Sequence, residues 1–180
     1  MLVRGADTET VALDDGTCQP LVVLSVDGVL THRRDVTPNV IDELFYGPTA
    51  WAHAPTDLAV LSRHRGSVVP AFRALASGRI FDVLTRQKLL DTAVGRKRAK
   101  HSLETVAAIY GHTKHANDPW RTRYGELYDV PLIYWPADAK AYAEGDSVVA
   151  RAIFEEQEKR AAELPGVFDT QGMQARAHWA

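Results

Sequence analysis

One cysteine, Cys18, stands in 180 residues. A lone thiol excludes an internal disulfide framework and any zinc site built from several thiolates, so nothing argues for an oxidising compartment. Long apolar runs are missing too. None approaches the roughly 20 residues that span a bilayer, and the start Met1-Leu2-Val3-Arg4-Gly5-Ala6 is too short and polar for a signal peptide. Neither sign of charge dominates. With 21 Lys and Arg against 23 Asp and Glu the formal charge is −2, which excludes the broad basic face of a protein that wraps duplex DNA. Repeats and low-complexity tracts are also absent. What remains is one domain, expected to be cytoplasmic, without a membrane partner, and monomeric by default.

The composition, 46 % hydrophobic, is enough for a real core. Residues 2–6 read as a short strand. Leu21-Val22-Val23-Leu24-Ser25-Val26 is a second, and Asp27-Gly28 turns it into a third at Val29-Leu30-Thr31. Thr37-Pro38 opens a helix that Gly47-Pro48 stops. A fourth strand is expected over residues 50–54, followed by a helix carrying Leu58 and Leu61, and a fifth over residues 80–83, followed by a helix carrying Leu84, Lys88 and Asp91. Ser102 opens another helix that ends at Gly111, and the last and longest helix runs from Pro136 to Leu164. Three antiparallel strands followed by alternating helices and strands predict an α/β domain with a mixed five-stranded sheet and helices on both faces.

Asp7-Thr8-Glu9 sets two carboxylates at i and i+2 on extended backbone, so both point to one side and repel. A hard divalent cation bound by both removes that repulsion, and oxygen ligands suit Mg²⁺ or Mn²⁺ rather than zinc; a solvated loop is the plain alternative. In the last helix Ala139, Tyr142, Asp146, Val149 and Ile153 recur at steps of three and four, which places Asp146 in an apolar stripe. A buried carboxylate there needs a cation, a hydrogen-bond network or a metal. Tyr142, one turn earlier, faces the same way and can hold a water beside it. Asp57 stands after the fourth strand, at the edge where open α/β sheets place ligands, or serves as a helix N-cap.

Two basic clusters, Arg96-Lys97-Arg98-Ala99-Lys100-His101 and Arg121-Thr122-Arg123, could hold a phosphate backbone or be solvated. The segment 117–135 interleaves Trp120, Tyr124, Tyr128, Tyr134 and Trp135 with Arg121 and Arg123, a composition suited to stacking bases or to packing beneath a loop.

Asp7-Thr8-Glu9-Thr10, Asp57 and Tyr142-Ala143-Glu144-Gly145-Asp146 resemble, in order and approximate separation, the three motifs of the proofreading 3′→5′ exonucleases whose site holds three aspartates, one glutamate and a tyrosine. Phe81-Asp82, Arg86-Gln87-Lys88-Leu89-Leu90-Asp91 and the stretch from Trp120 to Leu127 are similar to phage-like family A DNA polymerases, so the likeness covers nearly the whole chain. The resemblance implies a ribonuclease H-like fold and two Mg²⁺ or Mn²⁺ ions. It implies Asp7, Glu9 and Asp146 around one ion, Asp57 serving the second through water, and Tyr142 orienting the attacking water. It further implies an exonuclease domain over residues 1–164 and a linker or helix over 165–180 leading to a polymerase domain in cis or trans. The implied partner is a single-stranded or frayed DNA 3′ end, and the implied setting the cytoplasm of a bacterium or phage-infected cell. The second motif departs from that family's pattern, with His53 in place of the usual asparagine and Thr56 in place of the usual aromatic. A non-catalytic structural module of a polymerase and an RNA exonuclease of the ribonuclease D kind are the alternatives.

Overall fold

Strand β1 (Arg4–Thr10) is the middle of a five-stranded sheet in the computed structural model of the protein, which describes residues 2–11, 19–114 and 119–164. On one edge β1 pairs antiparallel with β2 (Leu21–Val26), and β2 pairs antiparallel with β3 (Val29–His32). On the other edge β1 pairs parallel with β4 (Thr49–Trp51), which pairs parallel with β5 (Ile80–Asp82). The order β3-β2-β1-β4-β5, three strands antiparallel and two parallel, is the expected ribonuclease H-like arrangement. Asp27 and Gly28 make the β2–β3 turn with φ of 50° and 81°, the two positive values that a tight hairpin requires.

Six α-helices are present among the described residues, on the two faces of the sheet. Helix α1 (Pro38–Tyr46) is capped by Thr37, whose hydroxyl accepts from the Val40 N–H. It packs with α2 (Ala54–Arg65) and α3 (Val69–Ala76) in a core of Ile41, Leu44, Phe45, Leu61, Ala74, Leu24 and Trp51. The other face is covered by α4 (Val83–Ala93), α5 (Leu103–Ile109) and α6 (Ala137–Ala162), with Ala50, Phe81, Val106, Ile153 and Phe154 between them. Asp82 ties the parallel half together: its Oδ1 caps α4 at the Thr85 N–H, 2.7 Å, and its Oδ2 accepts from the Ala54 N–H at the start of α2, 3.0 Å.

Helix α6 lies hard against β1. A Cβ placed on Gly5 would sit 1.9 Å from the Ser147 carbonyl oxygen, so a side chain there would push the helix off the strand. Ser147 closes the contact, its Oγ sharing a hydrogen bond of 2.7 Å with Ser25 Oγ and accepting from the Gly28 N–H at 2.9 Å.

The boundaries differ from the sequence reading in ways that bear on the site. Asp7-Thr8-Glu9 lies within β1, not after it, because Asp7, Thr8 and Glu9 pair with Ser25, Leu24 and Val23 of β2. The fourth strand ends at Trp51, and Ala54 already belongs to α2. Helix α3 is additional to the elements read from the sequence; Pro70 sits in its first turn, where a missing N–H costs nothing. The aromatic segment is largely core: Trp120, Tyr124 and Trp135 are buried against Val22, Val23, Ala139 and Ala143, which decides for packing over base stacking at those three positions. No described helix is long and apolar enough to cross a membrane. Cys18, Asn117 and the expected segment 165–180 lie outside the described residues.

Candidate metal centre

Side-chain alternation along β1 decides which groups meet. Ala6 packs into the core with α1–α3, so Asp7 and Glu9 face the α6 side and Thr8 faces the α2 side. The close seating of α6 at Gly5 brings Asp146, the neighbour of Ser147, over the same end of β1. Carboxylate oxygens of Asp7, Glu9 and Asp146 come within 4.8 Å of one another. Asp7 is 9 % exposed and Asp146 8 %. Three hard oxygen donors at this spacing can share one divalent cation, since opposite ligands of such an ion stand about 4–5 Å apart. The donor set fits Mg²⁺ or Mn²⁺ and offers no nitrogen or sulfur to a softer metal.

Electrostatics point the same way. Burial pushes the Asp7 carboxyl well above the usual carboxylate range, and the charges of Glu9, Asp57 and Asp146 push it further, with Lys114 opposing. Glu9 is also raised well above its ordinary value, first by burial and then by Asp146, while Lys114 and a hydrogen bond with Asp7 act against the rise. Without a cation both groups are biased toward their protonated forms, and a cation would compete with those protons.

Asp57 enters from the first turn of α2. It is not the helix N-cap, a position held by His53; instead its Oδ1 accepts from the Thr8 N–H at 3.0 Å and from the Thr8 hydroxyl at 2.6 Å. Burial raises its pKa to about 7 against the lowering effect of those two bonds. Asp57 lines the same cleft as the other three acids but stands outside the close trio. Tyr142 is half-buried on the cleft wall, one turn before Asp146. Burial and the charges of Asp146, Glu9 and Asp7 hold its phenol far above its ordinary value, so it stays protonated at any working pH. All five acidic and phenolic residues singled out from the sequence therefore line one cleft of about 390 Å³.

The same cleft holds further residues, of which Lys114 is one that the sequence did not mark. Lys114, from the segment after α5, places its Nζ 2.5 Å from Asp146 Oδ2 and 5.2 Å from the centre of the Tyr142 ring. It lies outside both basic clusters, and no local pattern flags it. Arg121, from the second cluster, lines the wall, whereas Arg123 turns away to Glu126, 2.8 Å, and over the Trp120 ring. His53 Nδ1 and Thr56 Oγ1 are hydrogen-bonded at 2.8 Å and also line the cleft. In the first cluster Arg98 and His101 converge on the buried Asp91, at 2.6 and 3.2 Å, and Arg96 stands 3.7 Å from it, so much of that charge holds the loop in place. Ser102, Leu103 and Glu104, directly after it, form another side of the cleft.

No family model matches this chain, and no curated protein or solved structure does. The geometry of Asp7, Glu9 and Asp146 beside a protonated Tyr142 is thus what carries a functional reading.

Proposed function

We propose that the protein is a divalent-cation-dependent 3′→5′ exonuclease that releases nucleoside 5′-monophosphates from single-stranded or frayed DNA ends, in the manner of a proofreading domain working with a polymerase. The observation that carries this reading is the convergence in an open cleft of three carboxylates from β1 and α6, Asp7 and Asp146 buried and Glu9 half-buried. Asp7, Glu9 and Asp146 would hold the cation, and Asp57, fixed by Thr8, stands where it can serve a second one. A cation bound there supplies Lewis acidity to a phosphodiester and acidity to a water.

The protein's own groups complete the arrangement. Protonated Tyr142 can donate one hydrogen bond and accept another, which suits it to hold the attacking water. Arg121 and Lys114 bring positive charge to a cleft otherwise dominated by acids, and a phosphodiester is the kind of anion they would receive. Attack by water forms a new P–O bond as the bond to the 3′ oxygen breaks. The water's proton leaves to solvent, and the 3′ oxygen takes up another, regenerating a 3′ hydroxyl on the shortened strand. A terminal nucleotide must leave the helical stack to enter the cleft, so a frayed or mismatched end is favoured over a paired one.

The test is a 5′-labelled single-stranded oligonucleotide incubated with the protein and Mn²⁺. A ladder shortening from the 3′ end, abolished by EDTA, is expected, with a slower ladder on the matched RNA. Cleavage that survives EDTA, or an intact strand in Mg²⁺ and Mn²⁺ alike, would sink the proposal.

A further inference from the structure

Lys114 is the group in the cleft whose position the carboxylate chemistry leaves unexplained. Its ammonium bonds Asp146 Oδ2 at 2.5 Å, its side chain is 16 % exposed, and the Tyr142 ring lies beside it. The acid it bonds is the one that α6 contributes to the close trio. Its charge also acts beyond that acid, easing the ionisation of both Asp7 and Glu9. A lysine is a compact point charge on a flexible stem of four methylenes, which can change partner without a backbone movement.

A divalent cation held by Asp7, Glu9 and Asp146 would share the Asp146 carboxylate with this ammonium. Two positive charges on one carboxylate repel strongly in a buried site. The ammonium would therefore oppose the cation unless it moved, and on the nuclease reading the anion that enters the cleft with the cation would be the phosphodiester of the substrate.

We propose that Lys114 is an exchangeable counter-ion of this site: it neutralises Asp146 in the metal-free protein and turns to the substrate phosphate when the cation binds. It thereby becomes a phosphate-contacting residue and links the loading of metal to the loading of nucleic acid. This rests on the nuclease reading above.

The test compares the wild-type chain with K114M and K114Q, which remove the charge with different packing. Two constants are measured by calorimetry: the affinity for Mn²⁺ alone, and the affinity for a short single-stranded DNA with a phosphorothioate 3′ linkage in Ca²⁺. With its competitor gone, the site is expected to bind Mn²⁺ about three- to tenfold more tightly in both variants, the scale of losing one partly exposed ion pair. The oligonucleotide is expected to bind about three- to tenfold more weakly, through loss of one phosphate contact. Unchanged or weaker Mn²⁺ binding in both variants would overturn the counter-ion role. Unchanged oligonucleotide binding would overturn the phosphate contact. A wild-type chain that binds no Mn²⁺ at all would instead strike the nuclease reading itself.

Discussion

The backbone N–H and the hydroxyl of Thr8 donate to the same oxygen of Asp57, Oδ1, at 3.0 and 2.6 Å. Thr8 sits between the two β1 carboxylates, so one strand presents Asp7 and Glu9 on one side and fixes Asp57 from the other. Thr8→Val keeps the shape and the N–H but removes the hydroxyl donor. It should cost about 1 kcal/mol of stability, the usual worth of such a bond. Because the Thr8 hydrogen bonds lower the Asp57 pKa from where burial alone would set it, the variant should raise it above about 7. Carboxyl carbon NMR across a pH series reads this directly, and a downward shift would show that the hydroxyl does not stabilise the charged form.

Gly5→Ala tests how the site is assembled. The added Cβ would lie 1.9 Å from the Ser147 carbonyl oxygen, and backbone must yield. A loss of about 1–3 kcal/mol is expected from overpacking, together with weaker Mn²⁺ binding, because Asp146 rides on the displaced helix. Denaturant unfolding and a Mn²⁺ titration measure the two effects. Full stability in the variant would mean that the helix does not depend on that close approach.

Much of this was legible in the chain, and the rest was hidden for definite reasons. The hairpin at Asp27-Gly28, the caps at Thr37 and Ser102 and the long final helix all follow from local rules and are present. The carboxylates were visible as an i, i+2 pair and as a charged break in the apolar stripe of α6, in which Ala139, Asp146 and Ile153 are buried while Tyr142 and Val149 are half-buried. The reach of β1 through Thr10 was not visible, since its polar second half owes its strand conformation to pairing with β2. Thr8 meets Asp57 across 49 residues and Lys114 meets Asp146 across 32, and neither contact leaves a periodic trace. The basic loop reads from the sequence as a phosphate clamp or as solvated charge, and its ion pairs are hidden because Asp91, which binds Arg98 and His101, reads as one more acid on a helix.

The metal-free protein should lose stability as the pH rises. Asp57 carries a folded-state pKa of about 7 against an ordinary 3.8, and Asp7 and Glu9 are raised well above theirs. The folded chain thus keeps protons that the unfolded chain releases, so the stabilisation is complete below about pH 4 and fades as the pH climbs through about 7. In EDTA the melting temperature is expected to fall between pH 5 and pH 8, a window above the range where the paired surface acids Asp42 and Asp129, both lowered by their arginines, change charge. Added Mn²⁺ should raise it more at pH 8 than at pH 5, because cation and protons compete for the same oxygens. A melting temperature that rises with pH in EDTA would contradict the assignment.

Tyr142→Phe and Asp146→Ala should separate water positioning from metal binding. The phenylalanine leaves the carboxylates in place and should lower turnover about 10- to 100-fold, as loss of a supporting hydrogen bond does, with Mn²⁺ affinity nearly unchanged. Asp146→Ala should abolish both turnover and stabilisation by Mn²⁺, yet leave the metal-free fold intact, since it removes a buried charge and Lys114 can turn to water. Steady-state rates and melting curves with and without Mn²⁺ distinguish the two. Equal loss of metal binding in both variants would give Tyr142 a different role.

The central claim is that Asp7, Glu9 and Asp146 hold a divalent cation, and anomalous diffraction from crystals soaked in Mn²⁺ tests it most directly. A manganese peak within about 2.5 Å of one oxygen from each of the three carboxylates is the predicted result. A saturating soak that leaves the trio without a peak, or that places manganese only at other acids, would contradict it.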